Sequence, residues 1–228
     1  MIDPIYLLFA VPGLLLSFWA SRRVRTEFDR FSQIGTVRGL SGAEAARQLL
    51  DDAGLNSVEI VETSGYLSDH YDPSQRRLAL SREVYHGRSV ASVGVATHEA
   101  GHALQHAQNF TPLRARSALV PAAGIGSSLG YMTMAVGLFV HPAIVVLGAA
   151  IFSMVLLFQI VTLPVEYDAS ARAKKLVVEA GIVQPHERVG IDRVLDAAAL
   201  TYVAAAVSTL SVLLYYLSRA GLFGSSDS

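Results

Sequence analysis

The chain has 228 residues, a formal net charge of −1 and no cysteine, which excludes disulfides, thiolate metal sites and a cysteine nucleophile and leaves imidazole and carboxylate as metal ligands. Apolar residues make up 52% and charged residues only 16%, against about 25% charged in a typical soluble domain. The balance points to a membrane protein, and with neither a basic excess nor a basic, aromatic-rich patch it points to no nucleic-acid partner.

Residues 4–20 (PIYLLFAVPGLLLSFWA) form the first uncharged run, adequate for a bilayer span and ending beside Trp19, the interfacial kind of aromatic. Its positive charges, Arg22, Arg23 and Arg25, follow the apolar run, and no small-x-small cleavage site is present. That pattern is a retained anchor, not a signal peptide. SGAEAARQLLDDAG begins at Ser41, has Glu44 three residues on and stops at Gly54: a capping box, an amphipathic body and a glycine stop predict a helix. SVEIVET (57–63) alternates like a strand, YDPSQ reads as a turn, and RRLALS (76–81) reads as a second strand. The stretch GRSVASVGVATHEAGHALQHAQ then predicts one helix ending near Asn109, before Pro112.

Residues 117–140 and 143–163 are uncharged and separated only by His141 and Pro142, too long for one crossing and right for a tight hairpin of two. Residues 197–217 form the fourth such run. For any single run a buried helix of a soluble core is the competing reading. With residues 21–116 and 164–196 on the cytoplasmic side, 17 of the 18 Lys and Arg residues lie inside and only Arg219 outside, as the positive-inside rule asks. The expected fold is mainly α: four transmembrane helices plus a small α+β cytosolic domain. Its parts are an anchor (1–20), a cytosolic catalytic domain with the metal helix (21–116), a transmembrane hairpin (117–163), a cytosolic segment (164–196), a transmembrane helix (197–217) and a C-terminal tail (218–228).

The chemistry concentrates in VATHEAGHALQHAQ, residues 95–108. His98 and His102 are one helical turn apart, so both imidazoles reach one zinc ion, while Glu99, turned by about 100°, lies beside it without ligating. In that place a carboxylate acts as general base for an attacking water and then returns the proton to the leaving amine. Ala100 and Gly101 allow another element to approach closely. The competing reading is an amphipathic helix with exposed histidines. His106 is eight residues from His98, a rise of about 12 Å, so a straight helix cannot aim all three at one ion; it reads as a supporting, surface or packing residue.

The third ligand must come from elsewhere. Glu166, in LPVEYDASARAKK, lies where the chain leaves the third span, and a Glu at the head of a second helix completes a His₂Glu zinc site. Asp168 competes for the role but faces away from Glu166 on a helix. An oxyanion donor is needed too, with Tyr167, Tyr202, Arg172 and His106 as candidates. The 76–81 strand is placed to pair with an extended substrate or to act as scaffold. His70, His86 and His186 read as surface residues.

Taken together, HEAGHALQHAQ, PLRARSALVP, LPVEYDASARA and VLDAAALTYVAAA resemble the YugP-type neutral zinc metallopeptidases of bacterial membranes and, more distantly, the CAAX prenyl proteases and the heat-shock-induced membrane zinc proteases. The likeness covers most of the chain. It implies a gluzincin-like, zincin-type catalytic domain with Zn²⁺ on His98, His102 and Glu166 and Glu99 as base, in a multi-pass protein of the bacterial inner (plasma) membrane with its active site on the cytoplasmic side. Wider gluzincin relatives often carry an Asp four residues after the ligand Glu, supporting a zinc histidine; here that position is Ser170, and the nearby acid is Asp168. The implied partners are a polypeptide substrate, membrane-associated, and the lipid bilayer. Gly124, Gly126, Gly130, Gly137 and Gly148 allow close helix packing, within one chain or in a homo-oligomer. Two alternatives differ in class: a site-2-type intramembrane protease, disfavoured because Arg88 and Arg114 flank the motif, and a non-catalytic zinc-stabilised membrane adaptor, for which Glu99 has no use.

Overall fold

The computed structural model describes residues 3–222; residues 1 and 2 of the anchor and 223–228 of the C-terminal tail lie outside the described residues. Helix α1 (Pro4–Ser32) is followed by α2 (Gly42–Asp52), strands β1 (Glu59–Thr63), β2 (His70–Asp72) and β3 (Arg77–Ser81), the one-turn helix α3 (Arg82–Tyr85) and helix α4 (Val90–Ala107). Helix α5 (Thr111–Ile125) continues through a π-helical turn, Gly126–Gly130, into α6 (Tyr131–Val140), and α7 (Pro142–Glu179) and α8 (Arg188–Arg219) complete the chain. Four helical stretches, Pro4–Ser32, Thr111–Val140, Pro142–Glu179 and Arg188–Arg219, are long and apolar enough to cross a membrane. The helices run past the uncharged stretches: α1 ends at Ser32 and α5 starts at Thr111, because charge marks where apolar surface ends, whereas backbone hydrogen bonding continues until a cap stops it.

The chain divides into two compact units. The apolar unit comprises Met1–Ala20, Arg114–Leu163 and Thr201–Ser228; the mixed unit comprises Ser21–Leu113 and Pro164–Leu200. Within the apolar unit, Met134, Val145, Ala149, Phe152, Leu213, Tyr215 and Tyr216 form a buried cluster. A Cβ on Gly148 would stand 2.4 Å from the Met134 nitrogen and one on Gly137 2.5 Å from the Val145 nitrogen, so helices α6 and α7 meet backbone against backbone, the contact small residues permit between membrane helices.

In the mixed unit, Ser41 caps α2 through the expected box, its hydroxyl accepting from Glu44 N–H while the Glu44 carboxylate accepts from Ser41 N–H. Gly54 stops it at φ +72°, a conformation glycine adopts without Cβ strain. The three strands form one sheet in the order β1-β3-β2, β1 parallel and β2 antiparallel to β3. Strand β3 is therefore central, paired with β1 along its whole length and with β2 through Arg77–Ala79, while the Ser81 N–H is taken by Asp69, so the pairing of residues 76–81 with an extended substrate, entertained from the sequence, is corrected: this strand is scaffold. The residues 71–72 assigned to a turn lie in β2; the turn itself is held by the Asp72 carboxylate accepting from Ser74 and Gln75 N–H. Leu49, Leu50, Leu78, Leu80, Val84, Val93, Val177 and Ile191 belong to one buried cluster joining α2, β3, α3, α4, α7 and α8.

Candidate metal centre

Fourteen of the 18 residues of α4 are buried. A helix apolar and enclosed all round is a core element, not an amphipathic surface one, which removes the reading of HEAGH as a solvent face. Ser89 caps it by accepting from Ser92 N–H. Gly101 fixes how closely α7 approaches: a Cβ there would lie 2.8 Å from the Ala169 carbonyl oxygen and 3.3 Å from its Cα. That near-contact carries Glu166, one turn before Ser170 on α7, to the His98–His102 face of α4.

The side chains of His98, His102 and Glu166 are only 12, 10 and 3% exposed. Glu166 Oε2 lies 3.3 Å from His98 Nε2 and 3.6 Å from His102 Nε2, and the three ligand atoms all fall within 4.8 Å of one another. Yet Oε2 is a buried acceptor with no hydrogen bond: it faces two ring nitrogens without the alignment a hydrogen bond needs. With zinc–ligand bonds of about 2.0–2.2 Å at tetrahedral angles, neighbouring ligand atoms sit about 3.3–3.6 Å apart, and both Glu166 distances fall in that range. Donor set, spacing and the orphaned oxygen fit zinc.

The electrostatics agree. Burial pushes the Glu166 carboxyl up, but the facing His102 and His98 imidazoles outweigh it and hold the group well below the usual carboxylate range. Burial likewise opposes the charged form of His102, and Glu166, Glu99 and Gln105 overcome it, so its imidazole holds a proton more tightly than usual.

The other sequence candidates fall into distinct places. Glu99 is 9% exposed, and its carboxylate makes no hydrogen bond with a described residue. Ser170 is 3.1 Å from His98 Nδ1. Asp168 is not a member of the His–His–Glu cluster; its carboxylate accepts from Gln105 Nε2 at 2.8 Å and from Arg172 Nε at 2.5 Å. Arg172 is thereby engaged, donating also to Gln108. His106 stands apart from the cluster, its Nδ1 2.9 Å from the Tyr71 hydroxyl. Tyr167 is half-exposed beside Glu166, and Tyr202 belongs to the apolar unit. His70, His86 and His186 are exposed.

Gln105 is the residue the sequence did not single out. It is fully buried and bonds to His102 Nδ1 at 3.0 Å. The available signal was positional: it lies three residues after His102, on the same helix face, as an amide in an otherwise small and apolar stretch.

A family model described as "Putative neutral zinc metallopeptidase" matches residues 6–221. The chain is also 40% identical over 214 residues, 93% of its length and 95% of the relative's, to "Putative membrane protease YugP" of Bacillus subtilis (strain 168). No solved structure matches it significantly.

Proposed function

The chain belongs to the neutral zinc metallopeptidase family whose model spans it, and from that premise we propose that it is a multi-pass membrane zinc endopeptidase. His98, His102 and Glu166 are the ligands and Glu99 the general base. The observation that carries the site is the buried, unbonded Glu166 Oε2 facing both Nε2 atoms. When bound, zinc supplies Lewis acidity, polarising an amide carbonyl and making water nucleophilic near neutral pH. Glu99 takes the proton of the attacking water and delivers it to the nitrogen as the C–N bond breaks. Among the described residues no hydrogen bond ties up its carboxylate, which leaves both oxygens for that transfer. Ser170 and Gln105 hold the two imidazoles, and the tight Gly101–Ala169 contact keeps the Glu166 helix in register.

The basic residues flanking the apolar helices support a cytoplasmic orientation for residues 21–116 and 164–196. A site there, close to the bilayer, suits membrane proteins or their cytosolic tails as substrates. Zinc content and cleavage of an unfolded model protein, measured on the detergent-purified chain, test the reading. Wild type is expected to hold one zinc and cut. Glu99→Gln keeps zinc and loses about 10²–10⁴ in rate; Glu166→Ala loses the metal. A Glu166→Ala protein that retains zinc and activity rejects the ligand assignment. A Glu99→Gln protein that cuts at the wild-type rate rejects Glu99 as the base, and a wild type that holds zinc but cuts nothing favours a zinc-stabilised adaptor.

A further inference from the structure

We propose that Gln105 is a positioning residue that relays the Asp168 carboxylate to His102 and fixes which ring nitrogen of His102 is offered to the metal. The inference rests on the proposed metal site, and it follows from donor and acceptor counting. The Gln105 side-chain amide has three polar neighbours: the Val165 carbonyl at 2.8 Å, the Asp168 carboxylate at 2.8 Å and His102 Nδ1 at 3.0 Å. A carbonyl accepts only, and so does an ionised carboxylate. The end of the amide facing both must be the NH₂, with its two N–H groups, one for each. The amide therefore has one allowed orientation, and its oxygen points at His102.

That oxygen can only accept, so His102 Nδ1 must carry a proton, in the neutral and in the charged imidazole alike. The nitrogen left to give up its proton is Nε2, the atom that faces Glu166. Asp168 is thus a remote determinant: it never touches the imidazole, yet with Val165 it sets the amide that sets the tautomer. Arg172, bonded to Asp168 and Gln108, holds that carboxylate in place. His98 has a looser arrangement, since the Ser170 hydroxyl both donates and accepts and so prescribes no tautomer. The two histidines of one motif are held by different logic, His98 by the Ser170 hydroxyl and His102 by an amide bridged to Asp168.

The test uses the full chain in detergent, stripped of metal and titrated with zinc against a chelator. Gln105→Met keeps the volume and the unbranched shape but removes the acceptor; Gln105→Glu combined with Asp168→Asn keeps an acceptor for His102 and returns a donor opposite it, with the polarity of the bridge reversed. Gln105→Met is expected to weaken zinc binding by about 10–100-fold, the usual effect of losing such a support, while the double variant binds much more tightly than Gln105→Met. Equal weakening in both variants assigns the effect to packing and overturns the proposal, as does wild-type affinity in a folded Gln105→Met protein. Should neither variant fold, histidine ¹⁵N–¹H correlation on zinc-loaded wild type decides: a proton on His102 Nδ1 supports the relay, and a proton on Nε2 overturns it. A wild type that takes up no zinc removes the metal reading itself, a result distinct from a metal-loaded protein with the wrong order of affinities.

Discussion

In the mixed unit the large aliphatic side chains are shut away, Leu50, Leu78, Leu80 and Ile191 all at 0% exposure, whereas the apolar unit leaves Leu8, Leu14, Met132 and Phe139 facing outward, Phe139 at 91%. Both contain buried clusters, so the difference is not between folded and unfolded regions. It lies in which solvent each surface is written for. The mixed unit pairs charges near its surface, Arg47 with Asp51, Arg88 with Glu44 and Lys174 with Asp196, and leaves only scattered apolar side chains such as Val37 and Val189 outside. The apolar unit keeps its closest contacts for glycines and turns carbon outward, as a bilayer permits and water does not.

The largest effect that sharpens this contrast comes from paired truncations. Leu50→Ala removes a fully buried side chain among α2, β3 and α4, and is expected to cost about 2–5 kcal/mol. Phe139→Ala removes a larger side chain that the chain itself scarcely covers, and is expected to change stability by less than about 0.5 kcal/mol in detergent. Thermal unfolding of the two variants beside wild type checks this. Equal losses would mean that Phe139 is buried against a second copy or another chain.

How far the sequence displays these arrangements depends on how local their causes are. The α2 cap is legible because Ser41, Glu44 and Gly54 settle it among themselves. Strand β2 is not, since three residues hold no alternation and its existence depends on the β3 ladder. The His98–His102 pair is legible from helical spacing, and Glu166 from its place where the chain leaves an apolar run. Gln105 is illegible by the same standard: an amide follows no ligand spacing, and its role appears only when Val165 and Asp168, 60 and 63 residues away, close around it. The Ser170 position shows the same limit from the other side: the serine is visible in sequence, but that its hydroxyl meets His98 Nδ1 is not.

A second comparison separates two uses of one device. Gly101 and Gly148 both abut backbone, at 2.8 Å from Ala169 O and 2.4 Å from Met134 N for an added Cβ. Alanine at either position is expected to cost about 1–3 kcal/mol of overpacking strain, read again as a fall in unfolding temperature. Only Gly101→Ala moves α7 away from the His98–His102 helix, so only it should also weaken zinc binding in the chelator titration. Gly124, with nothing within 4 Å of its added Cβ, is the control: Gly124→Ala should be neutral or slightly stabilising through helix propensity. Loss of zinc affinity in Gly148→Ala would show that the apolar unit shapes the metal site, and would break the division of labour drawn above.

The smallest effect concerns a half-buried carboxylate of the mixed unit. Asp69 accepts from Ser81 N–H at 2.7 Å and from the Ser81 hydroxyl. Burial nonetheless raises its carboxyl above the ordinary 3.8, with the Ser81 bonds pulling the other way and the Glu99 charge adding to the rise. The folded state therefore holds this proton more readily than the unfolded chain does. Ionisation at Asp69 costs stability above that interval, and the cost fades as pH falls through the raised value to below the ordinary one. Asp69→Asn keeps an oxygen for the Ser81 N–H and carries no charge. It is expected to melt slightly above wild type at neutral pH, with the gap closing in the acid range and zinc affinity unchanged. A variant that melts lower at neutral pH would show the charge-assisted Ser81 bonds outweighing desolvation, making Asp69 a stabilising anchor for the loop before β2 instead of a tolerated cost beside Glu99.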